Sequence, residues 1–148
     1  DGIEREIEIA GRADRFDVNA NHSNAAAVID YKNQGITKIK KRAERLLDDP
    51  QLLIYARAVN ENAIAAHLPG RTVEQAEWVS LKADLKKADD KIVRTHPVEN
   101  MPEMMEQFSE QLNEDLEVLW ARKPMKAFAP DSVCQYCEAR GICRKGMW

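Results

Sequence analysis

Hydrophobic and polar positions alternate through "EREIEIAGRADRFDV", Glu4 to Val18, and this period of two predicts a strand, bent or divided at Gly11. The polar cluster "NANHSN" at 19–24 predicts a turn. After it comes "AAAVIDYK", an apolar run with β-branched Val28 and Ile29, which reads as a buried strand over about 25–33 that folds back as a hairpin partner. The period then lengthens. Ile36, Ile39, Ala43 and Leu46 fall on one helical stripe, with basic residues opposite. "DDP" at 48–50 interrupts, and Pro50 suits the first turn of a second helix, "QLLIYARAVNENAIAAH", which Pro69-Gly70 should end. "EQAEWVSLKADL" predicts a weaker strand and 83–95 a charged connector. Apolar residues at 101, 104, 105, 108, 112, 116 and 119 predict a long amphipathic helix from Met101 to Trp120. The order of elements implies an α/β fold with a small sheet.

Composition narrows the class. The chain of 148 residues, 44% hydrophobic and 32% charged, fits one globular domain with a single core. A net charge of −3 excludes a protein that coats a polyanion by bulk electrostatics. Local clusters remain: Lys38, Lys40, Lys41, Arg42 and Arg45, then Arg140, Arg144 and Lys145. Taken singly, each reads as a solvated face. No apolar run reaches the roughly 18 residues of a membrane span, and no signal-peptide pattern opens the chain. The three cysteines crowd into the last fifteen residues, which does not suggest a secreted disulfide scaffold, so a cytoplasmic location is expected. The first residue is Asp1, not Met, and a piece of a longer protein is expected.

Candidate chemistry centres on "VIDYKNQG". Asp30 and Lys32 stand two apart on a predicted strand and project from one face, where an unpaired charge is costly. Either they satisfy each other as an ion pair, or the site holds a metal and an anion. Asp14, on the neighbouring predicted strand, could bring a second carboxylate to the same point. Oxygen-only ligands suit Mg²⁺ or Mn²⁺, with the Tyr31 carbonyl as a further donor. Lys32 could then orient a water or stabilise charge on a phosphate. In the tail, Cys134, Cys137 and Cys143 have C-x2-C-x5-C spacing, a pattern more typical of metal ligands than of a disulfide pair. Spacing does not separate zinc from an iron–sulfur cluster, and His22, His67 or His96 could complete a Cys₃His zinc site.

"GRADRFD", "VIDYK" and "QLLIYA", in that order and followed by the cysteine triplet, resemble the RecB/AddB-like exonuclease branch of the PD-(D/E)xK nuclease superfamily. The resemblance spans most of the chain. It implies a restriction-endonuclease-like core, with a small mixed sheet flanked by helices, in one nuclease domain over 1–148. It also implies a cysteine-rich metal-binding tail over 131–148. The activity implied is metal-dependent hydrolysis of DNA, by an exonuclease serving repair or recombination beside a helicase domain or subunit. Asp14, Asp30 and Tyr31 would hold Mg²⁺ or Mn²⁺, Lys32 would be the catalytic lysine, and Gln51 and Tyr55 the helix motif. Cys134, Cys137 and Cys143 would bind a [4Fe–4S] cluster whose fourth cysteine lies upstream. No such cysteine stands in this sequence, the family's helix before the first strand is missing, and Asn33, Gln34 and Gly35 replace its usual Thr/Ser-Gly. The domain is thus expected to be truncated at its N-terminus, which leaves the activity of this piece alone open. Two other readings stand beside the enzyme: a nuclease-fold module that binds DNA or scaffolds a complex without turnover, and a zinc-stabilised interaction domain.

Overall fold

The computed structural model describes residues 7–22, 24–64, 66–82, 94–124, 129, 131–143 and 145. Two compact units divide the chain, Asp1–Phe108 and Ser109–Trp148.

The first unit is built on a mixed sheet of β1 (Arg15–Val18), β2 (Ala25–Lys32), β3 (Thr72–Ser80) and β4 (Arg94–Pro97), in that spatial order. β1 and β2 form the expected antiparallel hairpin, with Arg15 opposite Ile29 and Val18 opposite Ala26. β2 and β3 are parallel, so the chain must cross over between them. The crossover consists of α1 (Ile36–Ala43), a 3₁₀ turn at Leu46–Asp48 and α2 (Gln51–Asn60). β4 returns antiparallel to β3. The apolar run of β2 has its reason here: paired on both edges, it buries Ala25, Ala26, Val28 and Ile29. Leu52, Leu53, Ala56 and Val59 recur at helical spacing on α2 and are fully buried, as are Ile39 of α1 and Trp78 of β3. Burying each such aliphatic side chain contributes about 1.5–3 kcal/mol. This is the expected α/β arrangement of a small mixed sheet flanked by helices.

Several boundaries differ from the sequence pattern. The long N-terminal strand is confined to Arg15–Val18; residues 7–13 are not strand, and 1–6 lie outside the described residues. Alternation sets which side chains could share a face, but a strand also needs a partner for its backbone groups. The second helix stops at Asn60 rather than at Pro69. Asn62 adopts a left-handed backbone (φ 56°), and the two asparagines turn their side chains to other backbone amides. β3 is a full central strand, not a weak one. β4 falls partly within the expected connector: its "RTHP" carries no apolar alternation, and its single pairing with β3 makes it an edge where Pro97 is tolerated. Residues 83–93 lie outside the described residues.

The amphipathic helix α3 (Met101–Trp120) forms over its expected length, with Met101 and Phe108 buried. In the second unit, a short α4 (Asp131–Cys134) and a 3₁₀ turn at Glu138–Gly141 carry the cysteines.

Candidate active site

β2 is the element that positions the site. Asp30 and Lys32 leave the same face near its C-terminal end, as the alternation required, and Asp30 is 2% exposed. Lys32 Nζ lies 2.7 Å from Asp30 Oδ2, so the ion pair expected as the alternative to a metal site is formed. Yet the approach is not that of a hydrogen bond. Oδ2 is buried with no hydrogen-bond donor, while Nζ donates to Gln51 Oε1 at 2.8 Å. Ion pair and metal site are therefore not exclusive here: the lysine offsets part of the Asp30 charge without closing a hydrogen bond to Oδ2.

Asp14 lies just before β1, not within it. Carried one residue past its last pair, the β1–β2 register sets Asp14 opposite Asp30, on the same face. Asp14 Oδ2 accepts the Tyr31 backbone N–H at 2.9 Å, in the place where a longer β1 would supply a carbonyl. Both carboxylates are thus anchored to consecutive residues of β2. Tyr31 projects to the other face, where its hydroxyl accepts from Arg15 at 3.1 Å. Hydrogen bonds first to Asp17 and then to Tyr31 hold the Arg15 guanidinium above its ordinary value, so it stays charged throughout the accessible pH range.

α2 braces this arrangement from its N-terminal end. Gln51 and Tyr55 are one turn apart and share a face, and Gln51 Nε2 donates to the Tyr55 hydroxyl at 3.2 Å. That hydroxyl donates in turn to the Arg12 carbonyl at 2.7 Å. A Cβ on Gly11 would stand 3.2 Å from Tyr55 Cε1, so the segment leading to Asp14 lies directly against the ring. The sequence pattern groups Asp14, Asp30, Lys32, Gln51 and Tyr55 but does not assign a role to Arg12 or Gly11, which join the two ends of the group. The signal was present in Gly11-x-x-Asp14. A second pair of bonds went unread: the Ser80 hydroxyl donates to the Gln34 carbonyl at 2.6 Å and Leu81 N–H to the Lys32 carbonyl at 3.0 Å, pinning the loop after β2.

The donor set fits a hard divalent ion. Mg²⁺ takes one or two carboxylates and keeps several waters, and one of the two carboxylates here has a buried oxygen without a donor. Among the described residues no three His, Cys, Asp or Glu side chains are grouped to hold a metal. That bears most on the tail. Cys134 is half-buried, Cys137 and Cys143 are exposed, and the three thiols are not gathered into a metal-binding set. Cys134 Sγ instead accepts from Lys145 Nζ at 3.3 Å. His96, one of the three histidines offered for a Cys₃His zinc site, is stacked on Trp78, with ring centroids 6.4 Å apart.

A mixed sheet whose central strand carries a carboxylate and a lysine two apart, with a second carboxylate delivered by the neighbouring strand, defines a nuclease-type α/β protein. A model of the PD-(D/E)XK nuclease superfamily matches residues 2–144, and the chain belongs to that superfamily. Among curated proteins and solved structures, none matches significantly. Among the described residues, no helix is long and apolar enough to cross a membrane.

Proposed function

We propose that the protein is a divalent-metal-dependent deoxyribonuclease of RecB-like, exonucleolytic type, acting in DNA repair or recombination beside a helicase. The observation that carries this reading is the buried, donor-less Oδ2 of Asp30 beside the Lys32 ammonium. Asp14 and Asp30, with the Tyr31 carbonyl, would hold Mg²⁺ or Mn²⁺. Such an ion supplies charge that offsets what develops on a phosphate under attack. Asp30 holds the Lys32 ammonium by charge and Gln51 holds it by hydrogen bond, so Nζ keeps one position and has donor capacity left for a phosphate oxygen or an entering water. Gln51 and Tyr55 brace the lysine and the Asp14 segment against each other. End-labelled DNA incubated with and without Mg²⁺ tests the reading. Cleavage is expected from the wild type only, and Asp30→Ala and Lys32→Ala should abolish it with circular dichroism unchanged. Wild-type-like cleavage by either variant rules the site out.

The RecB- and AddB-like placement also assigns Cys134, Cys137 and Cys143 to an iron–sulfur cluster. Because the thiols are not grouped among the described residues, that assignment rests on the family resemblance alone. Iron and sulfide content after anaerobic purification of the chain extended upstream to an added cysteine decides it: about four irons per chain are expected, and an iron-free, colourless protein overturns it.

A further inference from the structure

α1 begins four residues after Lys32, and its first residue, Ile36, can be no more than about 14 Å from that lysine along an extended chain. The two hydrogen bonds from Ser80 and Leu81 fix the intervening loop, so the helix keeps a set position relative to the site. Ile39 is fully buried, which turns the opposite face of α1 to solvent.

The five basic residues of this region fall into two groups. Arg42 is paired with Asp49 and Arg45 with Asp48, so their charges are met within the chain. Lys38, Lys40 and Lys41 are exposed, and none forms an ion pair with a carboxylate among the described residues. Of these, Lys38 and Lys41 are three apart and are side-by-side neighbours on the exposed surface of α1, with Cβ atoms about 5–6 Å from each other. In a chain of net charge −3, two neighbouring unpaired ammonium groups six and nine residues along the chain from Lys32 are a local positive ridge on an acidic protein.

We infer that Lys38 and Lys41 form a phosphate-binding ridge that holds the backbone of a DNA strand beside the Asp30–Lys32 site, whereas Arg42 and Arg45 hold the helix in place and contact no phosphate. This rests on the nuclease reading above and adds which charges meet the substrate. Ammonium groups on flexible stems reach phosphates without reading bases, so the contact is independent of sequence.

The test compares the wild-type chain, the double variant Lys38→Gln/Lys41→Gln, and the charge-keeping Lys38→Arg/Lys41→Arg. Binding of a short fluorescein-labelled DNA single strand is followed by anisotropy across a KCl series in EDTA, where no turnover occurs. Cleavage is measured in Mg²⁺. Losing two phosphate contacts should make the slope of log K on log [salt] shallower by about 1.4, since each contact on a single strand contributes about 0.7. KM should rise with kcat unchanged, and the arginine pair should restore both slope and KM. A glutamine variant with wild-type slope and KM, in a wild type that cleaves, overturns the ridge alone. A wild type that neither binds nor cleaves DNA overturns the ridge and the nuclease reading together.

Discussion

The Tyr55 hydroxyl donates to the Arg12 carbonyl at 2.7 Å, tying α2 to the segment that delivers Asp14 two residues later. The same hydroxyl accepts from Gln51, whose other amide atom holds Lys32. A continuous chain of hydrogen bonds thus runs from Lys32 to the approach of Asp14. Tyr55→Phe keeps the ring and removes the link. It should cost about 0.5–1.5 kcal/mol in urea denaturation and lower kcat more than it raises KM. A variant with normal kcat would show that Asp14 does not depend on this tether.

Gly11 is tested by size. Its missing side chain lets the backbone lie against Tyr55; a Cβ would meet Cε1 at 3.2 Å, so Gly11→Ala forces the ring to yield by a few tenths of an ångström. Gly11→Val adds two methyls to the same contact. Activity should therefore fall from Gly to Ala to Val, with the Val variant also losing about 1–3 kcal/mol of stability to the tighter contact. Equal kcat across the series would place the ring elsewhere.

Away from the site, Asn60 closes the crossover. Its Oδ1 accepts the Val73 N–H at 2.7 Å, where β3 begins beside the register shift at Ala26/Ala27 of β2. Asn60→Ala leaves that amide without its acceptor and should destabilise the fold by about 1–3 kcal/mol, read as a lower urea midpoint with an unchanged slope. Cleavage at a temperature where the variant is folded should match the wild type.

What could be read from the sequence follows from which features are local. The hairpin, α1, the start of α2 at Gln51 and the long α3 come from periodicity and turn residues, and those elements formed as the pattern implied. Asp30 and Lys32 share a face because side chains on a strand alternate, which no packing detail can change. The failures all depend on partners. Residues 7–13 alternate like a strand but pair with no strand among the described residues, and Arg94–Pro97 becomes a strand only because β3 offers an edge. Asn60 and Asn62 end α2 by bonding amides eight to thirteen residues away, a distance that helix propensity does not see. The roles of Arg12 and Gly11 likewise appear only once α2 lies across their segment.

Asp30 itself carries the sharpest prediction, because the same buried carboxylate holds the lysine and is the proposed metal ligand. Its charge is met by a lysine whose side chain is only 18% exposed, at 2.7 Å. Asp30→Asn removes that charge at constant shape, and Lys32 keeps only Gln51 as an acceptor. In EDTA the variant should therefore be less stable than the wild type, because a part-buried ammonium loses the charge beside it. With Mg²⁺ the gap should widen. An ion that binds only the folded wild type raises its stability by about 2.7 kcal/mol at a hundredfold excess over Kd, and the Asn variant should gain little. Thermal melts of both proteins across a Mg²⁺ series give the answer. If Asp30→Asn melted higher with added Mg²⁺ by as much as the wild type does, Asp30 would not be a metal ligand and the ion would have to be sought elsewhere.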